Sequence, residues 1–383
     1  MKNRVGPPVE GNDFIGREKE LAFAWDLIED GNSLLIAAPR RVGKTSFAKK
    51  LIDKADKEKW RILTLNLEGV KSEQALIVAF IDTLKKARWW NSISKKAEKL
   101  MKNIKLSVEI EGVTANVEWN SNKAKIFKEL ESLFDHNKDT LIFIDELGVF
   151  LNKYEKQDNI DGATFFLNWF RSIRQVSNSK IRWVFCSSVG VRNFTSRHEI
   201  SYTINDIEPF NIKAFDEPTA IQLISKLAES KNITISDSHG KYMLQKLEWY
   251  LPYFIQLLFK EIYGLQFQKN IDIDEKLIDD AFDILSKNSY LDTWDERLKY
   301  YYEKEPTARK ILNNLAKNDK ALTRKHFFDL IHNTDKTVEY TTDLLGDTLR
   351  LLINDGYLFQ NEDDAYKFRS PLLKNYWYNK FIK

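Results

Sequence analysis

The most constraining feature of the sequence is a short apolar run that ends in a basic, glycine-containing loop. Residues 33–38, Ser-Leu-Leu-Ile-Ala-Ala, show no polar alternation and read as a strand buried on both faces. Directly after Ala38 come Pro39, Arg40, Arg41, Val42, Gly43, Lys44, Thr45 and Ser46, followed by helical spacing over 44–57. Strand, loop and helix in this order bring loop amides and the positive end of a helix to one point. Such a loop is built to hold a triphosphate. The amides of residues 38–46 would cradle phosphates, Lys44 would bridge the β- and γ-phosphates, and the Thr45 hydroxyl would be a magnesium ligand. Ala38 stands where this pattern usually has its first glycine, and Gly43-Lys44-Thr45 is intact.

A second signal lies at residues 140–146, Thr-Leu-Ile-Phe-Ile-Asp-Glu, a hydrophobic strand ending in two acids. Alone these could be two solvated carboxylates at a loop. With a phosphate loop upstream, Asp145 is expected to hold magnesium and Glu146 to be the base that polarises an attacking water. A third strand-end, Cys186-Ser187-Ser188, offers Ser188, with Ser187 behind it, to sense the γ-phosphate or orient the water. Serines capping the next turn would look the same. Arg192 and Arg197 follow as arginine-finger candidates, from the same or a neighbouring subunit, or as solvated loop arginines. Arg171 and Arg174, three apart on one helix face, are either trans-acting fingers or surface ion-pair partners. Phe14, Ile15 and Gly16 would wall the adenine, with Arg17 bracing the turn, and residues 250–253 begin a helix read as facing the nucleotide.

Strands expected at 33–38, 61–67, 140–145 and 182–188 alternate with helices at 44–57, 72–87, 121–135 and 161–176. That alternation means a parallel sheet with crossover helices. An earlier helix carries Leu21, Ala24, Trp25 and Ile28 on one face and stops near Gly31. Residues 104–119, with β-type residues around Gly112, read as an inserted hairpin. The expected organisation is a tail at 1–12, an α/β core at 13–210, an all-α lid at 211–290 and a winged-helix domain at 291–383. Asp216 and Ser236 are N-cap signals in the lid, and Pro252 suits a first helical turn. The last domain is read from helices at 307–318, 323–333 and 337–354, strands at 357–360 and 366–369, and a closing helix at 371–381. The 24 Phe, 15 Tyr and 10 Trp against 14 Gly and 8 Pro agree with compact, helix-rich structure. The single cysteine, Cys186, excludes a disulfide within the chain and a cysteine-based zinc site, and fits a reducing, cytoplasmic setting. The longest apolar runs fall far short of the ~20 residues of a membrane span. The polar first eleven residues do not read as a signal peptide.

With these residues in place, the chain resembles the archaeal-type ATPase family, placed among the STAND and AAA+-like P-loop ATPases. The resemblance spans residues 11–383. It rests on Phe14-Ile15-Gly16-Arg17-Glu18, on Pro39 through Ser46 with its double arginine, on Phe166-Leu167-Asn168-Trp169-Phe170-Arg171, and on Tyr366-Lys367-Phe368-Arg369-Ser370-Pro371-Leu372-Leu373. It implies an ATP-binding core, a helical lid and a winged helix. Two departures stand out. Ser187-Ser188 replaces the family's Gly-Ser, and Tyr250 replaces the glycine of the lid's Gly-x-Pro, which weakens any claim that Pro252 contacts nucleotide.

Net charge is +3, too small to imply nucleic acid by itself. The segment expected to be the recognition helix, 337–355, carries Glu339, Asp343, Asp347 and Asp355 against Arg350 alone, the wrong sign for phosphate contacts. The wing tip, Glu362-Asp363-Asp364, is also acidic. A better nucleic-acid candidate is 85–105, with Lys85, Lys86, Arg88, Lys95, Lys96, Lys99, Lys102 and Lys105 around Trp89 and Trp90. A solvated charged helix with two core tryptophans is the favoured account of it over nucleic acid. The favoured expectation is an ATP- and magnesium-dependent switch acting on an unknown protein partner, in signalling or defence, with nucleotide-dependent self-association as an option. The alternative is a DNA-associated ATPase of the transposition-helper or origin-recognition kind. A nucleotide-binding scaffold that scarcely hydrolyses is disfavoured by the intact Lys44, Thr45, Asp145 and Glu146.

Overall fold

The computed structural model describes all residues except Arg4, Glu10, 109–112, Ser188, Val189 and 333–336. It divides into two compact units. The first contains Arg17–Ala37 and Lys44–Ile212. Its elements are α1 (Glu18–Glu29), β1 (Ser33–Ala37), α2 (Lys44–Lys57), β2 (Arg61–Asn66), α3 (Glu73–Lys85), α4 (Trp90–Val108), α5 (Val113–Glu131), β3 (Thr140–Asp145), α6 (Leu147–Lys156), α7 (Ile160–Arg174), β4 (Ile181–Ser187), α8 (Val191–Arg197) and β5 (Ile207–Asn211).

The five strands form one sheet in the order β2-β3-β4-β1-β5, and each neighbouring pair is parallel. β3 is buried over its first five residues and β4 over all but Arg182, as strands covered on both faces must be. Aromatic rings fill one side of the sheet. Trp183 and Phe185 of β4 lie 5.0 and 5.5 Å from the ring of Phe170 on α7, and Phe80 of α3 stands edge-on to Trp183. Edge-to-face pairs of this kind are favourable beyond the area they bury.

The four expected strands and the helices expected at 44–57, 72–87 and 161–176 are present within a residue or two, whereas the helix expected at 121–135 is α5, which starts at Val113 and ends at Glu131. Strand β5 was not expected. Its Pro209 breaks the apolar pattern, and an edge strand tolerates a proline that a central strand does not. The hairpin expected at 104–119 is a correction. The chain is helical through Val108 and again from Val113, with 109–112 outside the described residues. Positions 93, 97, 100 and 104 keep a helical period, and Ala97 and Leu100 are fully buried. That period, continued from upstream, outweighs the local β-preference of Ile104 and Val108.

The second unit contains Met1–Gly16, Ala38–Gly43 and Lys213–Lys383. It is built from α9 (Glu217–Glu229), α10 (Asp237–Leu247), α11 (Pro252–Lys269), α12 (Glu275–Leu285), α13 (Asp292–Leu298), α14 (Glu305–Lys317), β6 (Leu322–Thr323), α15 (Arg324–Ile331), α16 (Val338–Asp355), β7 (Leu358–Gln360), β8 (Ala365–Phe368) and α17 (Pro371–Phe381). Asp216 caps α9 by accepting from the Thr219 amide at 3.0 Å, and Ser236 caps α10 through His239 at 3.2 Å. Pro252 opens α11. The small sheet has three antiparallel strands in the order β6-β8-β7, one more than the two expected.

One buried ion pair organises this unit. Arg297 Nε donates to Asp355 Oδ2 at 2.7 Å, and the Tyr301 hydroxyl donates to the same oxygen at 2.9 Å. Asp355 is 1% exposed, so it belongs to the interior and not to the surface charge of α16. Gly356 follows with φ 87°, and a Cβ there would overlap the Trp249 ring. Removing one partner of such a pair strands the other charge in the interior. Asp355→Ala is expected to cost about 3–5 kcal/mol, read from denaturant midpoints. Tyr301→Phe should cost about 1–2 kcal/mol, because it removes one hydrogen bond and leaves the ion pair.

Candidate nucleotide site

The parallel sheet brings the carboxyl ends of β1, β3 and β4 to one edge, where open α/β sheets place their ligands. Ala37 of β1 is in register with Ser187 of β4, and Asp145 of β3 with Asn66 of β2. Helix α2 starts at Lys44, the residue after the loop 38–43. Lys44 and Ser46 are buried. Gly43 has φ 99°, a conformation that any side chain would strain. Arg41 also has positive φ, 67°. Within the second unit its guanidinium lies 4.5 Å from the centre of the Tyr253 ring, and its Nη1 is 3.5 Å from the Gly6 carbonyl.

Thr45 and Asp145, the two expected magnesium ligands, meet in the first unit, with Thr45 Oγ1 donating to Asp145 Oδ2 at 3.5 Å. Asp145 Oδ1 accepts from the Glu146 amide at 3.0 Å. Burial pushes the Asp145 carboxyl up to about 6, and the neighbouring Glu146 charge adds to this. The Glu146 amide, Lys44 and Thr45 pull the other way. The result is a half-buried acid pair with a hydroxyl beside it, a set of hard oxygen donors. This donor set fits a magnesium ion.

Glu146 stands at φ 57°, the left-handed region, at the start of α6 with no side-chain cap. Its carbonyl accepts from the amides of Val149 and Phe150. Non-glycine residues in this region are uncommon and cluster at functional sites. Ser187 is 2% exposed at the end of β4, and Ser188 lies outside the described residues. Phe14 and Ile15 are half-buried. Gly16, at φ 68°, packs so closely on the first turn of α9 that a Cβ would stand 2.5 Å from Thr219 Cγ2. Arg17 is buried, with Nη1 3.4 Å from Glu20 Oε1.

The four arginines separate by what they touch. Arg174 donates from Nε and Nη2 to the two carboxylate oxygens of Asp206, at 2.8 and 2.9 Å. Arg171 donates to the Tyr202 carbonyl. Arg197 is paired with Glu155 at 2.7 Å. Arg192 is exposed on α8 and, among the described residues, makes no side-chain hydrogen bond or ion pair. Arg174 is thus an ion-pair partner, as one of its two alternatives had it, but with its side chain only 3% exposed it is not a surface one. Asn66, in register with Asp145 at the end of β2, was not singled out in the sequence. The available signal was a polar residue at the end of a buried strand.

No family model matches this chain, and no curated protein matches it. Among solved structures it is similar to a Walker-type ATPase of Pyrococcus abyssi, with TM-score 0.67 and 15% identity, over 98% of this chain and 99% of that one. It is also similar to the ORC2 protein of Aeropyrum pernix in ADPNP–ADP complexes, with TM-score 0.52 and 12% identity, over 100% and 98%. The chain has the α/β fold of the P-loop nucleoside triphosphatases, followed by a helical C-terminal region. At these identities the likeness speaks for the fold alone. Among the described residues, no helix is long and apolar enough to cross a membrane.

The Arg174–Asp206 pair has a pH signature. Burial pushes the Asp206 carboxyl up, but the hydrogen bonds and charge of Arg174 outweigh it and hold the acid below its ordinary value. A depressed carboxylate contributes stability above its unfolded value and loses it as pH falls through its folded one. Arg174→Ala should therefore destabilise by about 1–3 kcal/mol near neutral pH. The deficit should shrink below pH ~4, where unfolded aspartate protonates, as read by thermal melts across pH. A deficit that does not change with pH would contradict the assignment.

Proposed function

We propose that the chain is a magnesium-dependent ATP hydrolase that works as a nucleotide-driven switch on a protein partner. The observation that carries the reading is the meeting of Thr45 and Asp145 at the ends of a phosphate-loop helix and a buried strand, with Glu146 next in the chain. In this reading the amides of 38–46 and the Lys44 ammonium hold the phosphates. Thr45 and Asp145 hold magnesium, whose charge eases negative charge building on the phosphate oxygens. Glu146 accepts the proton of the attacking water. Ser187 ends the strand expected to sense the γ-phosphate, and Ser188 follows it in the chain. Phe14, Ile15 and Gly16 form the turn proposed for the adenine. Residues 211–290 serve as the lid and 291–383 as a winged helix, a reading supported by α14, α15 and α16 with the three-stranded sheet.

The charge of α16 favours a protein partner over DNA. With Asp355 internal, Glu339 and Asp343 remain exposed, and Asp347 is shared between Lys304 and Arg350. The turn 362–364 is acidic and exposed. One observation favours the DNA-associated reading: Lys95, Lys96, Lys99 and Lys102 are all exposed on α4. Trp89 and Trp90, however, are half-buried against the core, and the Arg61 guanidinium lies over Trp89 at 5.0 Å. They are not free to stack on bases. Salt-dependent binding to duplex DNA at fixed nucleotide separates the two. The partner reading expects no binding at physiological salt, and retention there by wild type but not by a variant with these four lysines neutralised would favour DNA.

Lys44→Ala should remove most ATP binding, measured by calorimetry. Glu146→Gln should keep binding and lower turnover by about 10²–10⁴. Wild-type turnover in Glu146→Gln would contradict the assigned base.

Arg192 is the arginine left to act on a neighbouring subunit. If it does, the rate per subunit rises with protein concentration, and Arg192→Ala loses about 10³ or more in rate. Mixing it with Lys44→Ala subunits then restores activity. A flat profile without complementation would place the finger elsewhere.

A further inference from the structure

Arg41 occupies the left-handed region at φ 67°, where an arginine is uncommon. Such a conformation costs free energy and persists only where the surroundings hold it. The loop 38–43 belongs to the second unit, together with the tail 1–16 and α11. The half-buried Arg41 guanidinium meets groups from both. Its Cζ lies 4.5 Å from the centre of the Tyr253 ring in the first turn of α11, and its Nη1 is 3.5 Å from the Gly6 carbonyl of the tail.

The ring is held in its turn. Tyr253 is 6% exposed, and its hydroxyl donates to the Tyr290 carbonyl at 3.0 Å. Burial pushes the Tyr253 phenol up, and the Arg41 charge draws it part of the way back. The tail is tied to the same helix, because Asn3 Nδ2 donates to the Gln256 carbonyl at 3.1 Å. Two positions before Arg41, Pro39 lies against the residue that ends α16: a Cβ on Gly356 would stand 3.2 Å from Pro39 Cβ. A guanidinium over an aromatic face is attracted by the ring, and more strongly where water is excluded, as it is around a ring this buried.

We propose that Tyr253 is a positioning residue for the phosphate loop: its ring holds the Arg41 guanidinium and so keeps residues 38–43 in the shape that receives the phosphates. This rests on the reading of 38–46 as the phosphate site. It gives Arg41 a part distinct from that of Lys44, whose ammonium is read as bridging phosphates. A loop already shaped for its ligand loses less freedom on binding, so the contribution shows in affinity. The contact lies away from the reacting atoms, so its loss falls on KM more than on kcat.

The test compares wild type, Tyr253→Phe, Tyr253→Leu, Arg41→Gln and the double variant of the last two. The Kd for ATP is measured by calorimetry, with steady-state kcat and KM, and amide hydrogen exchange at residues 40–43 is followed without nucleotide. Tyr253→Leu and Arg41→Gln should each bind ATP about five- to thirtyfold more weakly, with KM raised to match and kcat changed less. Exchange at 40–43 should be faster in both. Tyr253→Phe keeps the ring and should stay within about threefold of wild type. The double variant should be no weaker than the worse single one, because both changes remove the same contact. Wild-type affinity in either Tyr253→Leu or Arg41→Gln would overturn the proposal, as would losses that add in the double variant. Should wild type itself fail to bind ATP, the functional reading falls and exchange alone decides. Faster exchange in both single variants, with Tyr253→Phe unchanged, keeps the contact as the holder of the loop; unchanged exchange in the single variants removes it.

Discussion

Two adjacent carboxylates at the end of a buried strand set the terms for the unit that holds the parallel sheet. Asp145 is half-buried, touches the Thr45 hydroxyl and has Glu146 as its chain neighbour. Burial, and after it the neighbouring Glu146 charge, push the Asp145 carboxyl up to about 6. A divalent cation on the Thr45–Asp145 side would relieve that cost. The five-stranded parallel sheet exists in this account to deliver β1 and β3 to the same edge. The aromatic rings of Trp183, Phe185, Phe170 and Phe80 pack one face of that sheet.

The parts of this arrangement that were legible in the sequence were those with a strong local signature. Residues 33–46 announce strand, loop and helix by composition and order. Residues 140–146 announce a buried strand with acids at its end. The N-caps at Asp216 and Ser236 were legible because a short polar side chain directly before an apolar-periodic run satisfies the free amides of a first helical turn. What failed was local preference set against longer-range pattern. The β-branched residues near 104–110 suggested a hairpin, whereas a helical period begun at 90 carries through 108. Strand β5 hid behind Pro209, which only its edge position makes acceptable. Helix α6 was invisible because it starts at a left-handed Glu146 instead of at a capping residue.

Charge counted along a sequence also misled where the fold takes a charge inside. Asp355 entered the count for α16 as a surface acid, yet it is the partner of Arg297 and accepts from Tyr301. Arg171, Arg174 and Arg197 were indistinguishable from Arg192 in the sequence. The structure gives the first three carbonyl or carboxylate partners, and those partners, not the arginines themselves, decide which one is available. No periodicity argument could have supplied that, because Asp206, Tyr202 and Glu155 are distant in the chain.

The most direct test of the central claim is calorimetric titration of ATP into wild type and Asp145→Asn, each with and without magnesium. Wild type should bind ATP at least about tenfold more tightly with magnesium than without it, a difference of ~1.4 kcal/mol. In Asp145→Asn the magnesium-dependent gain should vanish, and metal-free affinity should be kept or improved, because a negative charge facing the phosphates has been removed. The same magnesium gain in Asp145→Asn as in wild type would contradict the account and place the metal on other ligands.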